Sequence, residues 1–179
     1  IQLIVDRLPR TIHRVITNSV TFSEKICKLL SEGKVSIFTS IDAGTEETFK
    51  KVRGMNRLYK VMDNVKKYAS VNPKGVTIKY IFTDGNEAIE EVVAFVGLIR
   101  KYKLFHCNFQ ISSDFKEEFV ASKGLVLMVS MYKMLLDVGC KVIFFDDLLM
   151  HKLGDFNSHA EESFRLELKK LGIEGVLAD

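Results

Sequence analysis

The run Ser36-Ile37-Phe38-Thr39-Ser40-Ile41-Asp42-Ala43-Gly44-Thr45-Glu46-Glu47-Thr48-Phe49 reads as a strand that passes directly into a helix. Successive side chains of a strand point to opposite faces. Val35, Ile37, Thr39 and Ile41 therefore share one face, and Ser36, Phe38, Ser40 and Asp42 the other. A parallel strand covered on both sides is apolar throughout. This one turns polar on one face at its C-terminal end, where α/β proteins bind their ligands. The hydroxyl of Ser40 and the carboxylate of Asp42 thus mark a ligand edge before any family is considered.

The same alternation of strand and helix runs along the chain. His13 to Thr17 is a short strand, and Thr21-Phe22-Ser23-Glu24 has the form of a capping box for a helix burying Ile26, Leu29 and Leu30. Val35 to Ile41 follows, then a helix with Thr45 as N-cap and Glu46 and Glu47 at its positive end. Gly54 breaks that helix, and Asn56 restarts one carrying Leu58, Val61, Met62 and Val65. Val76 to Phe82 is a third strand, Asp84 to Glu87 a helix start, and Leu104 to Ile111 a fourth strand. A helix from about Lys116 to Val138 leads to a fifth strand, Lys141 to Phe145, and Ser158 to Glu161 cap a last helix that stops at Gly172. Such alternation implies parallel pairing with right-handed crossovers.

On the third strand Val76, Ile78, Tyr80 and Phe82 oppose Thr77, Lys79, Ile81 and Thr83; on the fourth, Phe105, Cys107, Phe109 and Ile111 oppose His106, Asn108, Gln110 and Ser112. Three strands with one apolar and one largely polar face fit a partial barrel with a polar cavity. They fit equally a sheet with helices on one side and water on the other.

The 179 residues suffice for one domain with a substantial core. A net charge of +3 is too weak to argue for nucleic acid. The apolar stretch Leu125 to Phe145 is interrupted by Lys133, Asp137, Gly139 and Lys141, which argues against a membrane span. Cys27, Cys107 and Cys140 are odd in number and scattered, as in a reduced cytoplasmic protein. Phosphate-cradling loops of the G-x-G-x-x-G and G-x-x-x-x-G-K-[ST] types are absent. His151, Asp155 and His159 lie in a segment interrupted by Gly154 and Asn157, which reads as a solvated loop and not as a metal site. The basic run Lys50, Lys51, Arg53, Arg57, Lys60, Lys66 and Lys67 reads as a solvated helix face, with Arg53 set apart by its place just before Gly54.

Four segments in order, Val15-Ile16-Thr17-Asn18-Ser19, Ser40-Ile41-Asp42-Ala43-Gly44-Thr45, Thr48-Phe49-Lys50-Lys51-Val52-Arg53-Gly54 and Val76-Thr77-Ile78-Lys79-Tyr80-Ile81, resemble the radical S-adenosylmethionine superfamily over about residues 3–112. The resemblance implies a partial parallel barrel, with residues 1–115 matching the third to sixth βα units and residues 116–179 forming a helix–strand–helix extension of the same domain. It implies S-adenosylmethionine as cofactor, contacted by Ser40 and Asp42, with Thr17 and Asn18 at the mouth of the preceding strand. Arg53 and Lys79 become candidates for the cofactor's carboxylate or the substrate, and Asn108 and Gln110 for the substrate side.

The family's C-x-x-x-C-x-x-C loop, which ligates a four-iron four-sulfur cluster, does not occur here, and Ser19 stands where the family usually has Gly. The expectation is a C-terminal portion of a longer radical enzyme acting on an unidentified small-molecule or peptide substrate, with the cluster held only by the longer parent chain. The alternative is a non-catalytic α/β ligand-binding or interaction module. A truncated barrel also implies exposed sheet edges and hence homo-oligomers.

Overall fold

The structure, a computed structural model, describes residues 1–8, 10–114 and 122–145, together with Lys169. Its elements in chain order are α1 (Gln2–Arg7), β1 (His13–Thr17), α2 (Glu24–Ser31), β2 (Val35–Ser40), α3 (Glu46–Arg53), α4 (Leu58–Val71), β3 (Val76–Phe82), α5 (Ile89–Tyr102), β4 (Asn108–Ser113), α6 (Ser122–Asp137) and β5 (Val142–Phe145). The strands form one sheet in the order β1-β2-β3-β4-β5, every neighbouring pair parallel. This is the open parallel sheet of an α/β fold that the alternation predicts.

When strand order follows chain order and every crossover is right-handed, the helices fall on one face. Burial follows that division. Val35 and Ile37 of β2, and Val76, Ile78, Tyr80 and Phe82 of β3, are buried in one core with Leu29, Leu30, Val61, Val65, Phe95 and Ile99 from the helices. The intervening residues of β2 and β3 are only half-buried, so the second face of the sheet stays open. Tyr80 anchors the core through ring contacts with Phe82 at 4.8 Å and Phe95 at 4.9 Å. No helix among the described residues is long and apolar enough to cross a membrane.

Local chemistry explains where the elements begin and end. Thr45 caps α3, its Oγ1 accepting from the Thr48 N–H at 3.2 Å, and Gly54 closes that helix at φ 71°. The cap of α2 falls on Ser23, whose Oγ accepts from the Ile26 N–H at 3.3 Å, and not on Thr21. α5 starts at Ile89, later than Asp84 to Glu87, because residues 83–86 close a turn in which the Thr83 N–H donates to Asn86 Oδ1 at 2.8 Å. β4 likewise starts at Asn108 and not Leu104: the chain leaves α5 through Lys103 at φ 57°, and turn bonds take up the Leu104 and Cys107 N–H groups. β4 is also covered on both faces along most of its length, so its polar face is less open than alternation suggested. The helix expected after Ser158 and the segment holding His151, Asp155 and His159 lie outside the described residues.

Candidate functional site

Strand register aligns the predicted residues into rows across the open face. Ser40 lies opposite Lys79, Lys79 opposite Gln110, and Gln110 opposite Phe144. One row nearer the N-terminal ends of the strands, Ile16, Phe38, Thr77, Asn108 and Val142 are in line. The open face is thus mixed and partly apolar in its lower row. The upper row carries a hydroxyl, a cation and an amide.

Gln110 is 8% exposed, and its Oε1 has no hydrogen-bond partner among the described residues. A buried amide oxygen without a donor costs about 1–3 kcal/mol, so this acceptor is suited to a ligand's N–H or O–H. Asn108 lies elsewhere. It starts β4 at the opposite end of the strands and donates from Nδ2 to the Lys74 carbonyl at 2.9 Å.

Asp42, two residues beyond the end of β2, adopts φ 53° and is buried. Its Oδ1 accepts from the Ile81 N–H of β3 at 2.6 Å, and its Oδ2 accepts from Arg53 Nη2. The side chain thereby takes up the donor of β3 that follows the last β2–β3 backbone bond, Ile41 N–H to Lys79 carbonyl at 3.0 Å. Burial is the largest influence on this carboxyl and raises its pKa from 3.8 to about 6, against the opposing pull of Arg53 and the Ile81 N–H. Arg53, in the last turn of α3, has a third of its side chain exposed; its Nη2 makes this pair, and its buried Nε has no hydrogen-bond partner among the described residues.

At the mouth of β1, Thr17 Oγ1 accepts from the Ser19 N–H at 3.0 Å, and Asn18 Oδ1 accepts from the Val20 N–H at 3.2 Å. Both side chains hold a tight turn in which Ser19 sits at φ 54°, the left-handed conformation that suits glycine. The Ser19 hydroxyl donates to Thr39 Oγ1 at 3.0 Å, a bond that glycine could not make.

Three buried residues that sequence reasoning did not single out fix this rim. Asn86 donates from Nδ2 to the carbonyls of Asp42 at 2.9 Å and Ile81 at 2.8 Å. Asn64 of α4 donates to the Ser19 carbonyl at 2.9 Å. Glu91 of α5 accepts from the Gly44 N–H at 2.8 Å, the Thr45 N–H at 3.2 Å and the Thr45 hydroxyl at 2.7 Å. Burial pushes Glu91 upward, yet the donors from Thr45, Gly44 and Thr48 prevail and hold its pKa below the ordinary value. The Asn side chains follow Thr83-Asp84-Gly85 and precede helix-forming Val65, so a turn signal exists only for Asn86. Glu91 reads in sequence as an ordinary first-turn acid, and its clasp is formed with residues more than forty positions away.

The cysteines do not fit an iron–sulfur cluster. Burial pushes Cys107 up to about 12 and Cys140 up to about 11, so both are held as thiols where a cluster needs thiolates. No group of three or more His, Cys, Asp or Glu placed to hold a metal occurs among the described residues.

No family model matches the sequence, and no curated protein matches it. Among solved structures, a radical SAM methyltransferase from Sphaerobacter thermophilus superposes with a TM-score of 0.52 at 16% sequence identity. The match covers 75% of this chain and 40% of that one, so the chain spans well under half the length of that enzyme. The likeness is one of fold: this chain has a radical SAM-like α/β architecture.

Proposed function

We propose that this chain is the cofactor- and substrate-facing part of a radical S-adenosylmethionine barrel, the C-terminal portion of such an enzyme. The observation that carries the reading is the in-register row Ser40–Lys79–Gln110 on the open sheet face, with the unpartnered Gln110 Oε1 at its end. The fold likeness supports it. S-adenosylmethionine carries a carboxylate, two ribose hydroxyls and an adenine amine. The Lys79 ammonium suits the carboxylate, the Ser40 hydroxyl the ribose, and the Gln110 oxygen an N–H donor. Thr17 and Asn18 shape the mouth beside them, and Asp42 with Arg53 act chiefly as the frame that keeps the β2 and β3 ends in register. Asn108 lines the lower, substrate-side row.

In this reading the chain binds and orients, and its residues supply no electron. A four-iron four-sulfur cluster belongs to the longer parent chain, because the cysteines here are unsuited to hold it. The test is calorimetric titration of S-adenosylmethionine into the chain and into Ser40→Ala, Lys79→Ala and Gln110→Ala. Each substitution should weaken binding by roughly tenfold, about the value of one hydrogen bond to a charged or buried partner. Binding that ignores all three substitutions, or no binding at about 10 mM ligand, overturns the proposal.

A further inference from the structure

The outer helix layer carries a cationic strip, across the sheet from the open face that holds Ser40, Lys79 and Gln110. Exposed Lys60, Lys66 and Lys67 share α4 with a single acid, Asp63. α5 ends in exposed Arg100 and Lys101, and exposed Lys103 follows. In a chain whose net charge is only +3, these cations are a local concentration. No ion pair among the described residues engages Lys60, Lys66, Lys67, Lys101 or Lys103. Cations near helix C-termini complement the helix dipole, but two features beside them serve no such purpose. Tyr59 of α4 is 48% exposed, with the Lys101 Nζ 5.4 Å from its ring centroid. A cavity of about 170 Å³ opens between the C-terminal ends of α4 and α5 and the start of β4. Ala69, Pro73, Leu104 and Cys107 give it apolar walls, and exposed Lys66 and Lys103 stand at its mouth. No carboxylate among the described residues lines it. The Lys101 Nζ also lies 5.8 Å from the ring centroid of Tyr102, which lines the cavity, so Tyr59, Lys101 and the cavity are continuous. α4 leads into β3 and α5 out of it, at the middle of the sheet and two strands from the β1 edge where a longer barrel would continue.

We infer that this strip binds a single strand of nucleic acid: one base enters the cavity, a neighbouring base stacks on Tyr59, and Lys66, Lys101 and Lys103 hold the phosphates. Size favours a ring as the occupant, since an apolar cavity of about 150 Å³ admits benzene. Charge favours an anion around that ring, because the mouth carries ammonium groups and no acid. Exposed aromatic rings set among cations are the means by which proteins hold single strands, with stacking for the bases and ammonium groups for the backbone. A small carboxylate would occupy the cavity and leave Tyr59 idle. A duplex keeps its bases stacked on one another and has no ring to offer. Net charge alone does not argue for nucleic acid here; the ring and the cavity set among the lysines do.

Fluorescence anisotropy of a labelled single-stranded oligonucleotide of about 12 bases, titrated with the full chain, should give a Kd of about 10 μM or tighter in about 50 mM salt. Ribo and deoxy strands should behave alike, since the strip meets phosphates and bases. Three engaged phosphates predict a slope of log K against log salt of about −2, and Lys101→Ala should shrink it by about 0.7. Tyr59→Ala and the cavity-filling Ala69→Phe should each weaken binding about tenfold, while Tyr59→Phe, which keeps the ring, should bind as the parent chain does. Tyr59 is exposed, so its two variants test the inference even where Ala69→Phe disturbs packing. The same sequence as a duplex should bind at least about tenfold more weakly. The inference is overturned by absence of binding at about 100 μM chain, or by binding that ignores both Tyr59→Ala and Ala69→Phe. Competition by inorganic polyphosphate, duplex or anionic vesicles as strong as by the strand itself would also overturn it, because the lysines would then be acting by charge alone.

Discussion

Gly44 is where the β2–α3 turn passes closest to α5, and replacing it with alanine tests the packing directly. A Cβ at this position would lie 2.3 Å from the Glu91 carbonyl oxygen, 2.5 Å from the Phe95 nitrogen and 2.7 Å from the Ala94 Cβ. Favourable contacts of a methyl group lie near 3.5–4.0 Å, so two backbone atoms and one side chain would each have to retreat by about 1 Å. Flexible side chains cannot absorb this, because the nearest obstacles belong to the backbone of α5. The backbone at Gly44 lies outside the left-handed region, so the penalty is one of space and not of conformation. Overpacking of this kind costs about 1–3 kcal/mol.

Moving α5 away also pulls Glu91 from its three donors in Gly44 and Thr45. Bonds to a charged acceptor are worth about 1.5–3 kcal/mol each, and partial relaxation retains some of them. The expected loss for Gly44→Ala is therefore about 3–5 kcal/mol, a large share of the 5–15 kcal/mol typical of a domain. Urea unfolding followed by far-ultraviolet circular dichroism measures it. Glu91→Gln alone should cost about 2 kcal/mol, but in the Gly44→Ala background much less, giving a coupling above about 1 kcal/mol. A loss below about 1 kcal/mol for Gly44→Ala, or full additivity with Glu91→Gln, would refute the proposed clasp.

Asn86→Ala strips donors from the Asp42 and Ile81 carbonyls and an acceptor from the Thr83 N–H; a loss of about 3 kcal/mol in the same unfolding assay is expected, and less than about 1 kcal/mol would show that the turn holds without it. Asp42 should titrate near pH 6 when its carboxyl carbon is followed by nuclear magnetic resonance, since burial raises it from 3.8 to about 6; a midpoint below about 4 would refute this. Because its folded-state pKa lies above the unfolded one, its stabilising contribution is complete below about pH 4 and fades as pH rises through about 6, a difference approaching 3 kcal/mol that Asp42→Asn should remove. Glu91 carries the opposite sign: its lowered pKa makes its contribution present above the ordinary 4.5 and lost as pH falls through the lowered value, so Glu91→Gln should flatten the acid limb of the stability profile.

The frame of this fold was legible because it depends on local signals. Alternation along Val35–Ser40 and Val76–Phe82 gave both the strands and their buried faces, and Thr45 with Gly54 gave both ends of α3. The faults lie where the chain spends residues on turns. Leu104 to Cys107 have the composition of a strand, yet the chain leaves α5 through the left-handed Lys103 and the Leu104 and Cys107 N–H groups go into turn bonds. Asn108 and Gln110 share a face by alternation, but only register shows that Asn108 lies one row below Gln110, because alternation fixes the face of a residue and not its height. Asn64 and Glu91 left no trace in the sequence, since each is defined by partners on a distant segment.

Asp42 shows why a polar residue at a strand end is ambiguous until its hydrogen bonds are counted. A carboxylate there can face a ligand or satisfy the backbone where the sheet stops pairing. Here one oxygen holds the Ile81 N–H, the other holds Arg53, and the carbonyl holds Asn86. Each of those bonds ties β2 to a neighbouring segment, and the left-handed backbone at Asp42 is what turns the side chain toward them. Gln110 presents the reverse case, since it is buried in mid-strand yet its amide oxygen has no protein donor among the described residues. A polar row that binds a ligand needs both kinds of residue, one that consumes its hydrogen-bonding capacity to fix the frame and one that keeps some in reserve. The reserve in this sheet lies at Gln110 on β4, the strand next to the β2–β3 frame that Asp42 closes.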